Sequence, residues 1–169
     1  MKYMVAFSSP KRCQATVLEA ARQAREANAE LILVRVIADP KRVGIVAELI
    51  ATGEPLLKAQ RQIDAVVANL RSFGVNASGY VRIDDVGPGI VRASQEMNAE
   101  KIFLGAKNFG SRKAFFGWRN PIRTYVLKKS RIPICLVQES APALHAFGKR
   151  ASRTVRRTVG QELLSPHWS

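Results

Sequence analysis

The chain has 169 residues, of which 47% are hydrophobic, and a formal net charge of +14. This length and composition predict one globular domain with a sizeable core, followed by an extension. They disfavour a membrane-embedded protein, because no apolar run approaches the roughly 18 residues of a membrane-spanning helix. The first residues lack the apolar region of a secretory signal. Cys13 and Cys135 show no metal-ligand spacing, and Cys135 lies in an apolar run that predicts a buried thiol, so we expect a cytoplasmic protein in a reduced setting.

Apolar runs and helical spacings alternate along the chain. The predicted strands are 3–7, 31–37, 75–83, 101–104 and 132–137, and the predicted helices are 17–27, 44–73 (with a break at Gly53 and Pro55), 90–98 and 120–130. Turn residues separate these elements, with a possible helix cap in Ser8–Pro10 and the turn Gly87–Gly89 before the third helix. This alternation predicts an α/β fold with a doubly wound, five-stranded parallel sheet, in which ligands bind beyond the carboxyl ends of the strands.

Chemistry-bearing residues are few in the predicted domain. Both histidines, His145 and His167, lie near the end of the chain, so no serine of the domain has a histidine base nearby in sequence. The pair Asp84 and Asp85 stands at a strand-to-helix turn, where capping of the next helix is the expected role. We expect a protein that is not an enzyme and holds no metal, although this reasoning leaves a weak ATPase open.

Positive charge is concentrated in one part of the chain. Residues 101–138 contain nine Lys or Arg and no Asp or Glu, whereas residues 1–100 contribute +2 and residues 139–169 contribute +3. Such asymmetry indicates an anionic partner, because charge that serves solubility normally mixes both signs. A solvated, solubilising surface is the alternative.

Four segments carry a resemblance to a known family. They are YMVAF (3–7), AELILVRVI (29–37), AEKIFLG (99–105) and YVLKKSRIPICLV (125–137). Together they resemble the universal stress protein family over residues 1–138. The resemblance implies a flavodoxin-like sandwich and a regulatory role. Because members of the family often pair through the fifth strand, it also implies a homodimer. The corresponding apolar face here would be Ile132, Ile134 and Leu136.

The resemblance also implies where a nucleotide would bind. ATP-binding members carry G-x2-G-x9-G-S/T after strand four and an aspartate after strand one. In this chain Gly105 matches the first glycine, Asn108 stands at the second, and Asn120-Pro121 replaces the last pair, while Ser8 replaces the aspartate. A proline cannot donate a backbone N–H to a phosphate. We therefore expect weak ATP binding or none, with ATP or AMP as the possible ligand.

Basic side chains around the altered loop offer another way to hold phosphate, because arginine forms forked hydrogen bonds without a glycine-rich loop. The nucleotide- or anion-binding residues proposed from the sequence are Ser8, Ser9, Val36, Gly105, Lys107, Asn108, Gly110, Arg112, Lys113, Arg119 and Asn120. Aromatic residues between positions 109 and 118 could stack on nucleic-acid bases, and packing onto the sheet is the alternative.

The extension, residues 139–169, adds a second basic segment. Apolar residues recur every three or four positions from Leu144 to Leu163, while the cations lie off that stripe: Lys149, Arg150, Arg153, Arg156 and Arg157. Such a segment can dock on a partner, lie on an anionic membrane or bind nucleic acid. Disorder in isolation is the alternative, because Gly148 and Gly160 weaken a helix.

Three hypotheses for function follow. The first is a regulatory or assembly module that docks on RNA or on an acidic protein surface through residues 101–131 and the tail. The second is a sensor that binds ATP or AMP in a modified nucleotide site. The third is a scaffold subunit of a larger protein complex.

Overall fold

The computed structural model describes residues 1–38, 54–107 and 121–139. These residues form a five-stranded parallel sheet in the order β3-β2-β1-β4-β5, with helices between the strands. The elements are β1 Lys2–Ala6, α1 Gln14–Glu26, β2 Glu30–Ile37, α2 Glu54–Ser72, β3 Ala77–Ile83, α3 Val86–Glu96, β4 Lys101–Lys107, α4 Pro121–Lys129 and β5 Ile134–Glu139. The predicted fold class is confirmed, and most boundaries differ from the predicted ones by one to four residues.

Apolar side chains are buried on both faces of the sheet. On one face Val5, Leu33 and Phe103 pack against α1 and α2, and on the other face Met4 and Ile102 pack against α3 and α4. This double burial explains why the strands read as nearly continuous apolar runs rather than as alternating ones. Each fully buried aliphatic side chain contributes about 1.5–3 kcal/mol relative to an exposed one.

The turn predicted at Gly87–Gly89 lies inside a helix. Helix α3 begins at Val86, so Pro88 falls in its first turn, where no N–H is needed for the helical hydrogen bonds. The two glycines permit close packing: a Cβ on Gly87 would lie 3.2 Å from the Tyr125 ring, and one on Gly89 would lie 2.8 Å from Val36 Cγ1. The glycines are therefore required by the contacts of α3 with α4 and β2, and the sequence pattern was wrong about a turn.

Gly79, in the middle of β3, also permits a close approach. A Cβ at this position would lie 2.0 Å from Cγ2 of Ile63, a fully buried residue of α2. Helix α2 can therefore approach β3 closely because this residue carries no side chain.

Strand β5 is an edge strand, as the predicted dimer requires. Ile134 is buried, and Ile132 and Leu136 are half-buried against the α3–α4 face of the same chain, with Ile132 lying before the strand begins. Cys135 is only half-buried, contrary to the prediction, whereas Cys13 is the buried thiol. Homodimerisation through β5 stays a prediction.

Within the described part of the chain, no helix is long and apolar enough to cross a membrane.

Candidate functional site

The strand order reverses between β1 and β4. The chain moves from β1 to β2 and β3 on one side, and from β4 to β5 on the other. Loops that leave adjacent strands toward opposite faces open a crevice at the carboxyl ends, and this is where sheets of this class bind ligands. Five of the residues proposed from the sequence lie at this edge: Ser8 and Ser9 after β1, Val36 near the end of β2, and Gly105 and Lys107 in β4.

The loop after β1 is held by short-range contacts. The Ser9 carbonyl accepts hydrogen bonds from the N–H groups of Arg12 and Cys13, both at 3.1 Å. The Cys13 Sγ lies 3.2 Å from both the backbone nitrogen and the hydroxyl of Ser8. Ser8 is exposed, so its hydroxyl can still meet a ligand, whereas the Cys13 thiol is almost fully enclosed.

Helix α1 begins directly after this loop, and its first N–H groups are capped by a residue that is distant in sequence. Cys13 occupies the N-cap position, and among the described residues its side chain makes no capping hydrogen bond. The carboxylate of Glu139 accepts from the N–H of Ala15 (3.1 Å), the N–H of Thr16 (2.8 Å) and the Thr16 hydroxyl (2.5 Å). Capping by Ser8–Pro10 is therefore wrong, and a side chain of β5 replaces it.

Glu139 was predicted to be the first residue of the extension and is instead the last residue of β5. It is buried, at 9% exposed. A negative group at this place is stabilised by two unpaired N–H groups of the first helical turn and by the positive end of the helix dipole.

Gly105 lies directly over this carboxylate. It belongs to β4, beside Val137 of β5, rather than to the loop that follows β4. A Cβ at Gly105 would lie 3.0 Å from Thr16 Oγ1 and 3.2 Å from Glu139 Cγ. The space left by the missing side chain is thus taken up by Thr16 and Glu139.

Most of the basic residues proposed as anion ligands cannot be placed. The backbone of Lys107 ends β4 at the crevice edge. Several proposed residues lie outside the described part of the chain: Asn108, Gly110, Arg112, Lys113, Arg119, Asn120, Lys149, Arg150, Arg153, Arg156 and Arg157.

Other cations of the basic stretch lie at the opposite edge of the sheet. Lys128, Lys129 and Arg131 are exposed at the end of α4, just before β5 begins, and Lys101 begins β4. The described cations of residues 101–131 are therefore divided between the two edges and do not all border the crevice.

The turn after β3, at the same edge of the sheet as the crevice, contains a network of charged side chains. Asp85 occupies the N-cap position of α3, but its side chain makes no capping hydrogen bond to any described residue. Asp84 accepts from both Nε (3.0 Å) and a terminal nitrogen of Arg92, from the N–H of Asp85 (2.8 Å), and lies 3.5 Å from a nitrogen of Arg82. Asp84 therefore does not cap α3 as predicted, and its ion pairs instead connect the end of β3 to α3.

These contacts make the contribution of Asp84 to the stability of the fold depend on pH. The hydrogen bond from Arg92 holds the pKa of the Asp84 carboxyl below its ordinary value, with help from the Asp85 N–H and the charge of Arg82 and against the effect of burial. Because the pKa of Asp84 is lower in the folded chain, its contacts stabilise the fold fully when the pH is above the unfolded-state pKa of about 4. This stabilisation is lost as the pH falls through the folded-state pKa.

We therefore expect Asp84→Asn to lower the urea midpoint at neutral pH, and the difference from the parent protein to shrink on acidification below about pH 4. Asp64→Asn, on the exposed face of α2, is the control and should change the urea midpoint at neutral pH less than Asp84→Asn does. A deficit of Asp84→Asn that grows as the pH falls would contradict this assignment.

Sequence reasoning missed the residues that organise the start of α1: Cys13, Thr16 and Glu139. One signal could have identified Glu139, because it is the first acidic residue after Glu100 and directly follows a buried strand. Its partner Thr16 lies 123 residues earlier, so no local pattern connects the two.

No group of three or more His, Cys, Asp or Glu side chains in the described ranges could hold a metal ion.

Comparison with known proteins agrees with this architecture. The profile of the Universal stress protein family matches residues 1–138. No curated protein sequence gives a significant match.

Three solved structures share the fold. A universal stress protein from Archaeoglobus fulgidus in complex with dAMP is 18% identical, with a TM-score of 0.62, covering 80% of this chain and 96% of that one. A family protein from Arabidopsis thaliana with AMP bound is 13% identical, with a TM-score of 0.57 and coverages of 87% and 97%. A universal stress protein in complex with cAMP is 14% identical, with a TM-score of 0.58 and coverages of 81% and 96%. At these identities the likeness to solved structures shows the fold alone. Because the family profile matches residues 1–138, which is most of the chain, this chain belongs to the universal stress protein family.

Proposed function

We propose that this protein is a non-enzymatic regulatory module that binds an adenine mononucleotide in the crevice beyond β1 and β4. The observation that carries the proposal is the reversal of strand order between β1 and β4, with Ser8, Val36 and Gly105 gathered at that edge. Crevices at such a reversal are the ligand sites of open α/β sheets.

Solved relatives of the same fold support the choice of ligand. They were solved in complex with dAMP, AMP and cAMP, all of which carry an adenine base and a single phosphate. The three ligands differ in their sugar and phosphate linkage, so the shared base is the feature to test first.

The chemistry at the crevice favours moderate affinity. Ser8 offers a neutral hydroxyl, which makes a weaker hydrogen bond to a ribose than a carboxylate does. Val36 is half-buried and offers an apolar surface for a base. With about 23 non-hydrogen atoms and roughly −0.3 kcal/mol for each, AMP would bind with a Kd on the order of 10 μM.

Calorimetry of the full chain with AMP tests the proposal. Ser8→Trp should abolish the heat of binding, because a large side chain would fill the entrance of the crevice at an exposed position. Ser72→Trp is the matched control, an exposed serine at the end of α2, and should bind AMP like the parent protein. Binding that survives Ser8→Trp, or no binding of AMP, dAMP or cAMP at millimolar concentration, would refute the proposed site.

A second candidate function is docking on an anionic macromolecule, RNA or an acidic protein surface, through residues 101–131 and the tail. One observation favours it: nine basic and no acidic residues between positions 101 and 138. Binding of this kind must weaken steeply with salt, because every neutralised phosphate releases counterions. RNA binding that is absent at low salt, or that is unchanged when Lys128, Lys129 and Arg131 and the tail cations are replaced by alanine, would exclude an RNA partner.

A further inference from the structure

We propose that Glu139 determines which nucleotides the crevice accepts, by closing the start of α1 to phosphate and favouring a nucleoside monophosphate over a triphosphate. The inference rests on the proposed nucleotide function and adds the ligand class.

The start of a helix beside a ligand crevice is normally an attractive place for phosphate. Its first N–H groups have no partner within the helix and its dipole is positive there. Seven residues separate the end of β1 from the start of helix α1, and they form the loop that borders the crevice. In this protein the N–H groups of Ala15 and Thr16 are already bonded to the carboxylate of Glu139.

The carboxylate is fixed in place and not simply near the helix. The Thr16 hydroxyl donates a third hydrogen bond to it at 2.5 Å, and Thr16 itself is fully buried. Gly105 covers the same group from the neighbouring strand, with Glu139 Cγ only 3.2 Å from where its Cβ would be. A phosphate group would have to displace Glu139 to reach these N–H groups.

A fixed negative charge also acts on ligands that do not touch it. Each added phosphate places more negative charge at the edge of the sheet where β5 ends in the carboxylate of Glu139, and like charges at close range disfavour binding. One phosphate can be directed away from α1 by the ribose, whereas a chain of three has less freedom to avoid it. The crevice should therefore bind adenosine and AMP and discriminate against ATP.

The first experiment measures Kd for adenosine, AMP and ATP on the full chain without divalent cations. The parent protein should prefer AMP to ATP by about tenfold or more, and Glu139→Gln should reduce that preference by about tenfold while leaving adenosine affinity within about twofold. Glu30→Gln is the matched control: it removes the same charge at the amino end of β2, where Glu30 accepts a hydrogen bond from Ser78. An unchanged ratio of ATP to AMP affinity in Glu139→Gln would overturn the inference while the proposed function stands.

The second experiment does not depend on nucleotide binding. Pyrophosphate is titrated into the ¹⁵N-labelled full chain, and the amide signals of Ala15 and Thr16 are followed by NMR. In the parent protein these signals should stay in place, and in Glu139→Ala, or in Glu139→Ser if the alanine variant does not fold, they should move with saturation, because both side chains are too short to reach the two N–H groups. Saturable movement in the parent protein, or none in the folded variants, would overturn the inference even if no nucleotide bound.

Discussion

Replacing Phe103 by alanine is expected to lower the free energy of unfolding by about 3–5 kcal/mol. The ring is fully buried in the central part of β4, and its centroid lies 5.9 Å from that of Tyr3. Truncation removes transfer free energy and leaves a cavity between the sheet and α1. Because domains of this size have only about 5–15 kcal/mol of stability, the loss should be visible in a simple urea titration.

Phe73→Ala is the matched control, since the same ring at 68% exposure should cost no more than about 0.5 kcal/mol. Equal midpoints for Phe103→Ala and Phe73→Ala would mean that the core is not arranged as described.

Glu139→Ala should lower the free energy of unfolding by about 3 kcal/mol, because it leaves the Ala15 and Thr16 N–H groups and the Thr16 hydroxyl without their acceptor at a buried site. Glu139→Gln keeps an acceptor oxygen and should cost about half as much. Faster hydrogen exchange at Ala15 and Thr16 should accompany the loss, because the cap joins β5 to the first turn of α1.

Glu100→Ala is the control for that loss, since Glu100 is 54% exposed and lies 3.7 Å from the amino terminus in an ion pair of small expected worth. A cost for Glu139→Ala no larger than that of Glu100→Ala would contradict the capping role.

The fold could be predicted from the sequence because its determinants are local and repeated. Strands buried on both faces require nearly continuous apolar runs, and 31–37 and 101–104 carry them. The helices between strands show the spacing of one buried stripe, as Ile63, Val67 and Leu70 do in α2. Once strands and helices alternate, few topologies remain.

The errors have a common physical cause, which is that contacts between distant segments decide local details. Gly87 and Gly89 were interpreted as turn residues, but they are needed where α3 packs against Tyr125 and Val36. Asp84 was expected to cap the helix that follows it, and instead it accepts hydrogen bonds from Arg92 and lies close to Arg82. Glu139 was assigned to the tail because its partner Thr16 lies near the other end of the domain.

The site was predictable in place but not in composition. The rule for open parallel sheets directed attention to Ser8, Val36 and Gly105, which lie at the carboxyl edge, and their part in binding a ligand stays a prediction. It could not reveal that a carboxylate from β5 fills the start of α1, because that depends on side-chain geometry across three elements. The proposed contributions of Arg112, Lys113 and Arg119 lie outside the described residues and stay predictions.

The most direct test of the central claim is to map AMP onto the ¹⁵N-labelled full chain by amide chemical shifts. Saturable shifts are expected to be concentrated at Ser8, Val36 and Ala106, at the carboxyl ends of β1, β2 and β4. The amides of Glu30, Glu100 and Arg131 at the opposite edge should not move. Shifts confined to that opposite edge, or no shifts at millimolar AMP, would contradict a nucleotide site in the crevice.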